Sequence, residues 1–378
     1  MNQHIDSPTA AYIHVPFCAH RCGYCDFTVV AGKDHLADDY IRALELELRS
    51  LEFPRTVRTL FLGGGTPTHL DADQLDRLLT LIQTWIHLEP GYEFSVEANP
   101  AGLGRDKIDC LAAHGVNRVS LGVQSFEREV LALLERDHDA RQVEAAVELL
   151  ASRIPNFSLD LIFGVPGQSL ALWRETLARA VSLKPKHLST YGLTFEKGTA
   201  FWSRRARGTL QQAPDELERA MYAAAMDELP LSGYEQYELS NFAKPGFQCR
   251  HNETYWAGQQ YYGFGPGAAR YLAGRRETNH RSVLTWMRRV LAGKSPVGDV
   301  DELSPADRAR ETLVVGLRRA GGVDRATYRA TSGFDIEEVA GTAIDRHCTS
   351  GLLERTGSGI RLTREGRFLA DTVIVDCL

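Results

Sequence analysis

Six short apolar or alternating runs, each followed by a helical pattern, fill the chain from Ala11 to about Leu193 and restrict its fold more than any other feature. We predict strands at 11–15, 58–62, 92–98, 118–123, 157–163 and 187–193, and helices at 36–52, 71–87, 104–114, 126–135, 139–152 and 169–183. Alternating strands and helices are typical of a parallel sheet with right-handed crossovers. Six units predict an α/β fold, a partial (β/α)6 barrel whose functional groups lie at the C-terminal strand ends.

Local signals mark two helix boundaries within this pattern. Asp71 precedes an apolar stripe at helical spacing, and Gln74 follows three residues later, which predicts a helix N-cap. Gly115 follows His114 at the end of another helix, where a left-handed glycine commonly closes the last turn.

Three cysteines, Cys18, Cys22 and Cys25, follow the first predicted strand with the spacing C-x3-C-x2-C. Three thiolates on one tight loop can hold three irons of a [4Fe–4S] cube, because soft sulfur suits iron and cluster formation deprotonates each thiol. The fourth iron is then open and can chelate the amino and carboxylate groups of S-adenosylmethionine (SAM). The spacing therefore predicts an iron–sulfur site that binds SAM.

Two other uses of clustered cysteines are disfavoured. Structural zinc takes four ligands, usually from two paired knuckles, whereas the remaining cysteines are scattered singly at Cys110, Cys249, Cys348 and Cys377. A disulfide framework does not suit three clustered thiols without a secretory segment. The four scattered thiols are expected to be small apolar residues.

The composition limits the partners and the cellular compartment that we expect for the protein. The chain has 378 residues, 43% of them apolar, and a formal net charge of −6, which does not support a general electrostatic grip on nucleic acid. The stretch Met1 to Ala10 is polar, without a basic flank or an apolar leader, and no apolar run approaches the length of a membrane span. We expect a cytoplasmic, reducing location, which a low-potential cluster requires.

Polar and glycine residues stand where the predicted strands end. Gly63 to Thr68 have the sequence GGGTPT. The backbone amides of such a glycine-rich loop can approach a carboxylate or an amino acid moiety closely. The same sequence is also typical of a tight turn without a ligand. Glu97 and Asp160 can accept hydrogen bonds from an ammonium group or ribose hydroxyls, and Gln124 and Arg136 can contact carboxylate or ribose. Each residue alone could equally be a helix cap or an ion-pair member. Their shared place at one barrel mouth favours a binding site.

These motifs together resemble the HemN-like branch of the radical SAM superfamily. The resemblance rests on YIHVPFC at 12–18, GGGTPT, Glu97-x-Asn99-Pro100, LGVQS at 121–125, Arg136-x-His138 and DLIFGxPGQ at 160–168. It implies that Cys18, Cys22 and Cys25 ligate the cluster. It also implies SAM contacts at Tyr12, Tyr24, Gly64, Gly65, Thr66, Glu97, Gln124, Arg136 and Asp160.

The branch contains oxygen-independent coproporphyrinogen III oxidases and HemW haem chaperones, and three features favour the chaperones. The oxidases carry a fourth cysteine where this chain has Phe27, and they carry a long N-terminal extension where only eleven residues precede Tyr12 here. His251 to Trp256 read HNETYW, which matches the H-N-x-x-Y-W segment of the chaperones. Imidazole and phenolate both ligate haem iron, so His251 and Tyr255 are expected to contact haem. A radical decarboxylase acting on coproporphyrinogen III remains the alternative.

The rest of the chain is expected to form two smaller parts. Residues 1–230 would form the barrel, residues 231–300 an aromatic-rich extension of its sheet, and residues 301–378 a winged-helix-like α+β domain. The last part holds 11 basic and 13 acidic side chains, a net charge of −2, so duplex binding is not expected. The resemblance implies haem and an acceptor cytochrome or other haem protein as partners. It leaves open a homodimer and docking at the inner face of the membrane.

Overall fold

The computed structural model describes residues 7–378, so the predicted polar N-terminus lies mostly outside the described residues. Its strands are β1 Ala10–Val15, β2 Phe17–Cys18, β3 Val30–Ala31, β4 Arg55–Gly64, β5 Ile86–Ala98, β6 Arg118–Gln124, β7 Phe157–Phe163, β8 His187–Gly192, β9 Glu235–Gln236, β10 Asn241–Ala243, β11 Tyr261–Phe264, β12 Ala269–Leu272, β13 Arg275–Asn279, β14 Val297–Glu302, β15 Val323–Asp324, β16 Leu353–Arg355 and β17 Gly359–Leu362.

Two short 3-10 turns lie at Asp34–Leu36 and Pro67–His69. The α-helices are α1 Ala37–Arg49, α2 Ala72–Trp85, α3 Arg105–Ala113, α4 Arg128–Leu133, α5 Ala140–Arg153, α6 Leu170–Ser182, α7 Ala200–Ala206, α8 Asp215–Leu231, α9 Arg250–Trp256, α10 Val283–Leu291, α11 Pro305–Gly316, α12 Arg325–Ser332, α13 Ile336–Thr349, α14 Arg364–Phe368 and α15 Ala370–Asp376.

All six predicted strands are present, and they lie side by side in chain order as β1, β4, β5, β6, β7 and β8, each parallel to the next. β4 is longer than predicted at both ends, and the largest boundary error is at the start of β5. β5 begins at Ile86 rather than at 92, because the strand continues through Pro90 and Gly91, and Gly91 has a φ of +76°. The register of β4 against β5 shifts between Val57 and Thr59. The first residues of β5 do not alternate between buried and exposed positions, so the sequence there lacks the pattern that indicates a strand.

The local signals are also confirmed. Asp71 caps α2 and forms a capping box with Gln74, which satisfies two backbone N–H groups that have no partner inside the helix. Gly115 adopts a φ of +77° directly after α3, which a residue with a side chain would enter only with strain.

Later strands extend the parallel sheet at both edges. β11 pairs in parallel with β1, and β12, β13 and β14 follow it in antiparallel order, while β10 and β9 lie beyond β8. The sheet has twelve strands in a linear order, which is a partial barrel. The predicted boundary at residue 300 falls inside β14, so the three-part division of the chain stays a prediction.

The C-terminal residues form a small α+β unit with its own apolar core. Helices α11 to α13 pack against a three-stranded sheet in the order β15, β17, β16. The core of this unit includes Leu313, Tyr328, Ile344 and Ile360, and it is separate from the larger core under the barrel. Among residues 7–378, no helix is both long and apolar enough to cross a membrane.

A buried carboxyl group ties the first helix to the sheet extension. Glu47 of α1 is 3% exposed and accepts hydrogen bonds from the Gly265 amide at 2.9 Å, the Asn279 amide group at 2.6 Å and the Trp286 indole at 3.1 Å. Burial raises the pKa of Glu47 to about 7, although its three donors act in the opposite direction. This group fixes α10, the end of β13 and the turn after β11 against α1.

Candidate cofactor site at the barrel mouth

A cavity of about 770 Å³ opens at the C-terminal ends of the parallel strands. The loop of three cysteines forms one wall, and residues 367–372 of the C-terminal unit form another. Eleven of the fourteen site residues predicted from the sequence line this cavity. They are Cys18, Cys22, Tyr24, Cys25, Gly64, Gly65, Thr66, Glu97, Gln124, Arg136 and Asp160.

The cysteine loop is held by its own turn and by the helix beside it. The Cys25 amide donates to the Cys22 carbonyl at 3.1 Å, and the Phe201 amide of α7 donates to the Gly23 carbonyl at 2.8 Å. The ring of Tyr24 packs edge-on against Phe201, with ring centres 6.0 Å apart. Polar groups therefore fix the loop backbone while the three thiols face the cavity.

Each of two sulfur atoms has a hydrogen-bond donor close by. The Thr66 hydroxyl lies 3.7 Å from Cys18 Sγ, and the Arg136 guanidinium donates to Cys22 Sγ at 3.7 Å. Burial raises the pKa of Cys18 to about 11 and also raises the pKa of Cys25. These two thiols therefore stay protonated until a metal binds, because a coordinated thiol gives up its proton.

The number of thiols in the cavity distinguishes a cluster from a structural zinc ion. Cys18, Cys22 and Cys25 line the cavity, and none of the other four cysteines does. Structural zinc usually takes four cysteine or histidine ligands, whereas three thiolates can hold three irons of a [4Fe–4S] cube and leave the fourth iron open to a ligand. The residues therefore fit a [4Fe–4S] cube.

The glycine loop after β4 lies directly beside the cysteines. A side chain at Gly65 would place its Cβ 2.6 Å from the Val15 carbonyl oxygen, and Gly64 has a φ of +99° with the His14 ring against it. The Gly65 amide donates to the Val15 carbonyl at 2.9 Å. Glycine is thus required here by close packing of the loop on β1, which brings its backbone to the cavity wall.

Two carboxyl groups face the cavity from neighbouring parts of the sheet. Glu97 accepts a hydrogen bond from the Gly64 amide at 2.9 Å, and burial raises its pKa to about 8. Asp160 accepts from the Ser189 hydroxyl at 2.7 Å and from Ser120 at 2.9 Å, and burial raises its pKa as well. Both groups are positioned to accept hydrogen bonds from a cationic or hydroxylated ligand.

Gln124 and Arg136 complete the polar wall. Gln124 ends β6 at a register shift and has a φ of +65°, which is unusual for a residue with a side chain and turns it out of the strand. The second guanidinium nitrogen of Arg136 donates to the Gly122 carbonyl at 2.9 Å. Arg136 therefore bridges the end of β6 and the Cys22 sulfur.

The sequence did not indicate the wall that closes the cavity from the far side. Arg318 and Arg367 come from the C-terminal unit, and Phe368 packs edge-on against Tyr222, with ring centres 5.6 Å apart. Phe163, at the end of β7, stacks on Tyr222 at 6.0 Å. No motif marks these residues, because they meet only through the packing of the C-terminal unit across the barrel mouth.

The other three predicted residues lie outside this cavity, Tyr12 on β1 and His251 and Tyr255 in α9. His251, in α9, is 1% exposed, stacks on Phe61 at 5.1 Å and lines neither this cavity nor the next one. Its ring nitrogens lie 3.0 Å from the Thr59 hydroxyl and 2.8 Å from the Tyr255 hydroxyl. Burial lowers the pKa of His251 to about 3, so the ring is neutral and both of its nitrogens are engaged.

Tyr12 and Tyr255 line a second cavity of about 420 Å³, between α9, β11 to β13 and α11. Its walls are aromatic and include Trp256, Tyr261 and Tyr271. Arg318, which lines the first cavity, lies over the ring of Trp256, which lines the second, at 4.6 Å. Of the residues predicted from the sequence, eleven thus line the first cavity, Tyr12 and Tyr255 line the second, and His251 lines neither.

Comparison with known proteins identifies the family. The radical SAM superfamily model matches residues 12–180, and the model of the HemN C-terminal domain matches residues 303–369. The chain is 36% identical to the heme chaperone HemW of Bacillus subtilis (strain 168) over 370 residues, which are 96% of this chain and 97% of that protein. This chain belongs to the HemW family. Other HemW proteins from Lactococcus lactis subsp. lactis and Escherichia coli are 38% and 32% identical, each over at least 97% of both chains.

The fold of this family member is shared with a solved structure. Coproporphyrinogen III oxidase (HemN) from Escherichia coli matches with a TM-score of 0.86 and 24% identity, over 98% of this chain and 90% of that one. At that identity the match shows the fold. Membership of the radical SAM superfamily implies a [4Fe–4S] cluster and SAM, and the three thiols, the glycine loop and the two carboxyl groups of the first cavity fit both.

Proposed function

We propose that this protein is a cytoplasmic haem chaperone that binds haem and transfers it to an acceptor haem protein. The observation that carries the proposal is the similarity, over nearly the whole chain, to proteins named as haem chaperones. Phe27, in place of a fourth cysteine, supports the chaperone over the oxidase.

The first cavity would hold the cluster and SAM. Cys18, Cys22 and Cys25 would ligate the cluster, and the Arg136 guanidinium would stabilise the thiolate charge on Cys22 by its hydrogen bond. When bound, the cluster supplies an electron for reductive cleavage of the SAM sulfonium. Glu97 would accept a hydrogen bond from an N–H of the SAM amino group.

The remaining predicted SAM contacts would act from the same walls of the cavity. Asp160, Gln124 and Arg136 would contact ribose or carboxylate groups, while Gly64, Gly65 and Thr66 would line the amino acid moiety. Tyr24 would cover the cluster beside the third cysteine. Tyr12 lines the second cavity, so its part in SAM binding would be to support the wall beneath Glu97.

Haem would bind at the second cavity, where Tyr255 and Trp256 offer flat apolar surface. His251 could ligate iron only if Tyr255 released its nitrogen, because both ring nitrogens are hydrogen-bonded. Tyr255 itself presents a phenol to the cavity, and burial raises its pKa well above the usual value, so it would need the iron to take its proton. The two residues therefore form one candidate ligand pair.

Two variants test this haem position. We expect His251→Ala and Tyr255→Phe each to weaken haem binding or shift the Soret band in an anaerobic titration, while the cluster absorbance stays unchanged. Tyr262→Phe is the matched control, because Tyr262 follows Tyr261 on β11 but does not line the second cavity. Wild-type titration curves for both variants would remove this pair from the haem site.

We propose that the acceptor is a haem protein such as a respiratory cytochrome. We also propose that the chaperone docks at the inner face of the membrane to reach it. Anaerobic mixing of haem-loaded protein with an apocytochrome would test transfer. We expect the Soret band to move to the position of the acceptor. Haem that stays with the donor for every apocytochrome tried would contradict a transfer role.

A further inference from the structure

A cluster of three metal-ligating side chains lies outside the barrel, away from both cavities. Asp76 of α2, Cys110 of α3 and His114, directly after α3, place one ligand atom each within 4.8 Å of the others. His114 Nε2 lies 2.8 Å from Asp76 Oδ1. The side chain of Asp76 is 62% exposed and that of His114 is 14% exposed, so an ion can enter from solvent.

The second nitrogen of His114 is held by a neighbouring amide. Gln83 Oε1 lies 3.0 Å from His114 Nδ1, and the Gln83 amide group donates to the His114 carbonyl at 2.7 Å. The amide group is thereby fixed, so Oε1 faces the ring and Nδ1 must carry a proton. A ligating histidine usually donates its other N–H to an oxygen acceptor in this way, which fixes the ring and raises its basicity.

The remaining nitrogen then faces a carboxylate and a thiol. With the hydrogen on Nδ1, the Nε2 lone pair faces Asp76 and can bind a cation. Cys110 lies one helical turn before His114, and its sulfur is within 4.8 Å of the ligand atoms of both other residues. A divalent ion would replace the thiol proton and offset the negative charge of the thiolate and of Asp76.

We propose that Asp76, Cys110 and His114 bind a divalent ion of the zinc class, with water as the fourth ligand. Thiolate, imidazole and carboxylate are the three donors that zinc takes in proteins, in tetrahedral geometry at about 2.0–2.3 Å. Binding needs the His114–Asp76 contact to open from 2.8 Å to about 3.3 Å and the Cys110 sulfur to lie within about 4 Å of both ligand atoms, which are small side-chain movements. Because α2 and α3 are neighbours in the outer layer, the ion would clip these two helices together.

This site does not rest on the proposed haem function, since its residues touch neither cavity. The test is a titration with Co²⁺, which gives d–d bands in a tetrahedral site and a charge-transfer band with thiolate. A full-length variant with Cys18, Cys22 and Cys25 changed to serine removes the competing thiols. We expect one equivalent of Co²⁺ to bind with both features and to be displaced by Zn²⁺.

Single substitutions identify the ligands. Cys110→Ser should abolish the charge-transfer band, whereas Cys348→Ser, at another half-buried thiol on a helix, should leave it unchanged. His114→Gln should remove tight binding, and Gln83→Leu should weaken binding by about ten- to a hundred-fold, since loss of an outer partner has that effect at other metal sites. A spectrum without thiolate character, or one unaffected by Cys110→Ser, would overturn the assignment.

A second measurement covers the case in which the triple serine variant does not fold. Equilibrium dialysis of the cluster-loaded protein against Zn²⁺ should add one zinc per chain beyond the iron, and Cys110→Ser should abolish it. Zinc should also raise the unfolding temperature of the wild-type chain but not of Cys110→Ser, because only a ligand bound by the folded state stabilises it. Equal zinc uptake by both chains would refute the site.

Discussion

SAM binding should release a proton from Glu97. Burial raises the pKa of this carboxyl group to about 8, so at neutral pH it is mostly protonated in the free protein. The N–H groups of the SAM amino group and the positive charge of its sulfonium would favour the charged carboxylate and drive the proton off. A group with a pKa of about 8 is ionised in roughly one molecule in ten at pH 7 and in one in a hundred at pH 6. The ionisation of Glu97 should therefore contribute a rise of about ten-fold in the affinity for SAM between pH 6 and pH 7.

Isothermal titration calorimetry measures this release directly. The cluster-loaded protein, kept oxidised so that SAM is not cleaved, is titrated at pH 7 in two buffers that differ in protonation enthalpy. The proton release per SAM bound should be about 0.9 larger for the wild-type chain than for a chain without the Glu97 carboxyl group. The SAM amino group must lose its own proton to bind iron, but it does so in both chains and does not enter this difference.

The variant Glu97→Gln keeps the shape of the side chain and removes its titration. It should bind SAM more weakly, release about 0.9 proton fewer per SAM at pH 7 than the wild-type chain, and lack the ten-fold rise in affinity that Glu97 contributes between pH 6 and pH 7. Glu148→Gln, at an exposed position in α5, is the matched control and should behave like the wild-type chain. Equal proton release by the wild-type chain and by Glu97→Gln would refute the reasoning.

Three further predictions concern the cluster, the carboxyl group of α1 and the glycine loop. Cys22→Ser should abolish the broad visible absorbance of the anaerobically reconstituted cluster; an unchanged spectrum would overturn the assignment of three thiolates. The pKa of Glu47 is raised, so its contribution to stability is greatest below its ordinary pKa and is lost as pH rises through about 7. Chemical denaturation at pH 5 and pH 8 should show wild type losing about 3 kcal/mol more than Glu47→Gln, and equal losses would contradict the pKa shift. Gly65→Ala should lower the melting temperature and impair cluster retention, because its Cβ would meet the Val15 carbonyl, whereas Gly357→Ala, which has open space, should change neither.

The sequence predicted those residues of the first cavity that belong to short motifs. The three thiols and the glycine loop lie within a few residues of a strand end, so the strand pattern alone places them at the barrel mouth. Glu97 and Asp160 were predicted for the same reason, since parallel strands end at one edge. Ser120 and Ser189, which hold Asp160, lie on the two strands next to β7 and gave no signal of their own.

Other parts of the site depend on packing that no local pattern records. Arg318 and Arg367 reach the cavity only because the C-terminal unit folds across the barrel mouth. The HNETYW segment predicted the residue types beside the second cavity, but not that His251 turns inward between Thr59 and Tyr255. Helix α9 packs on β4, some 190 residues away in the chain, and that contact decides which side chains of the segment face the cavity.

The measurement that tests the central claim most directly is an anaerobic haem titration of the cluster-loaded protein, run beside a decarboxylation assay with coproporphyrinogen III, SAM and a reductant. The chaperone account predicts stoichiometric haem binding and no decarboxylated product. Decarboxylation without stable haem binding would contradict it and would identify the protein as an oxidase despite Phe27.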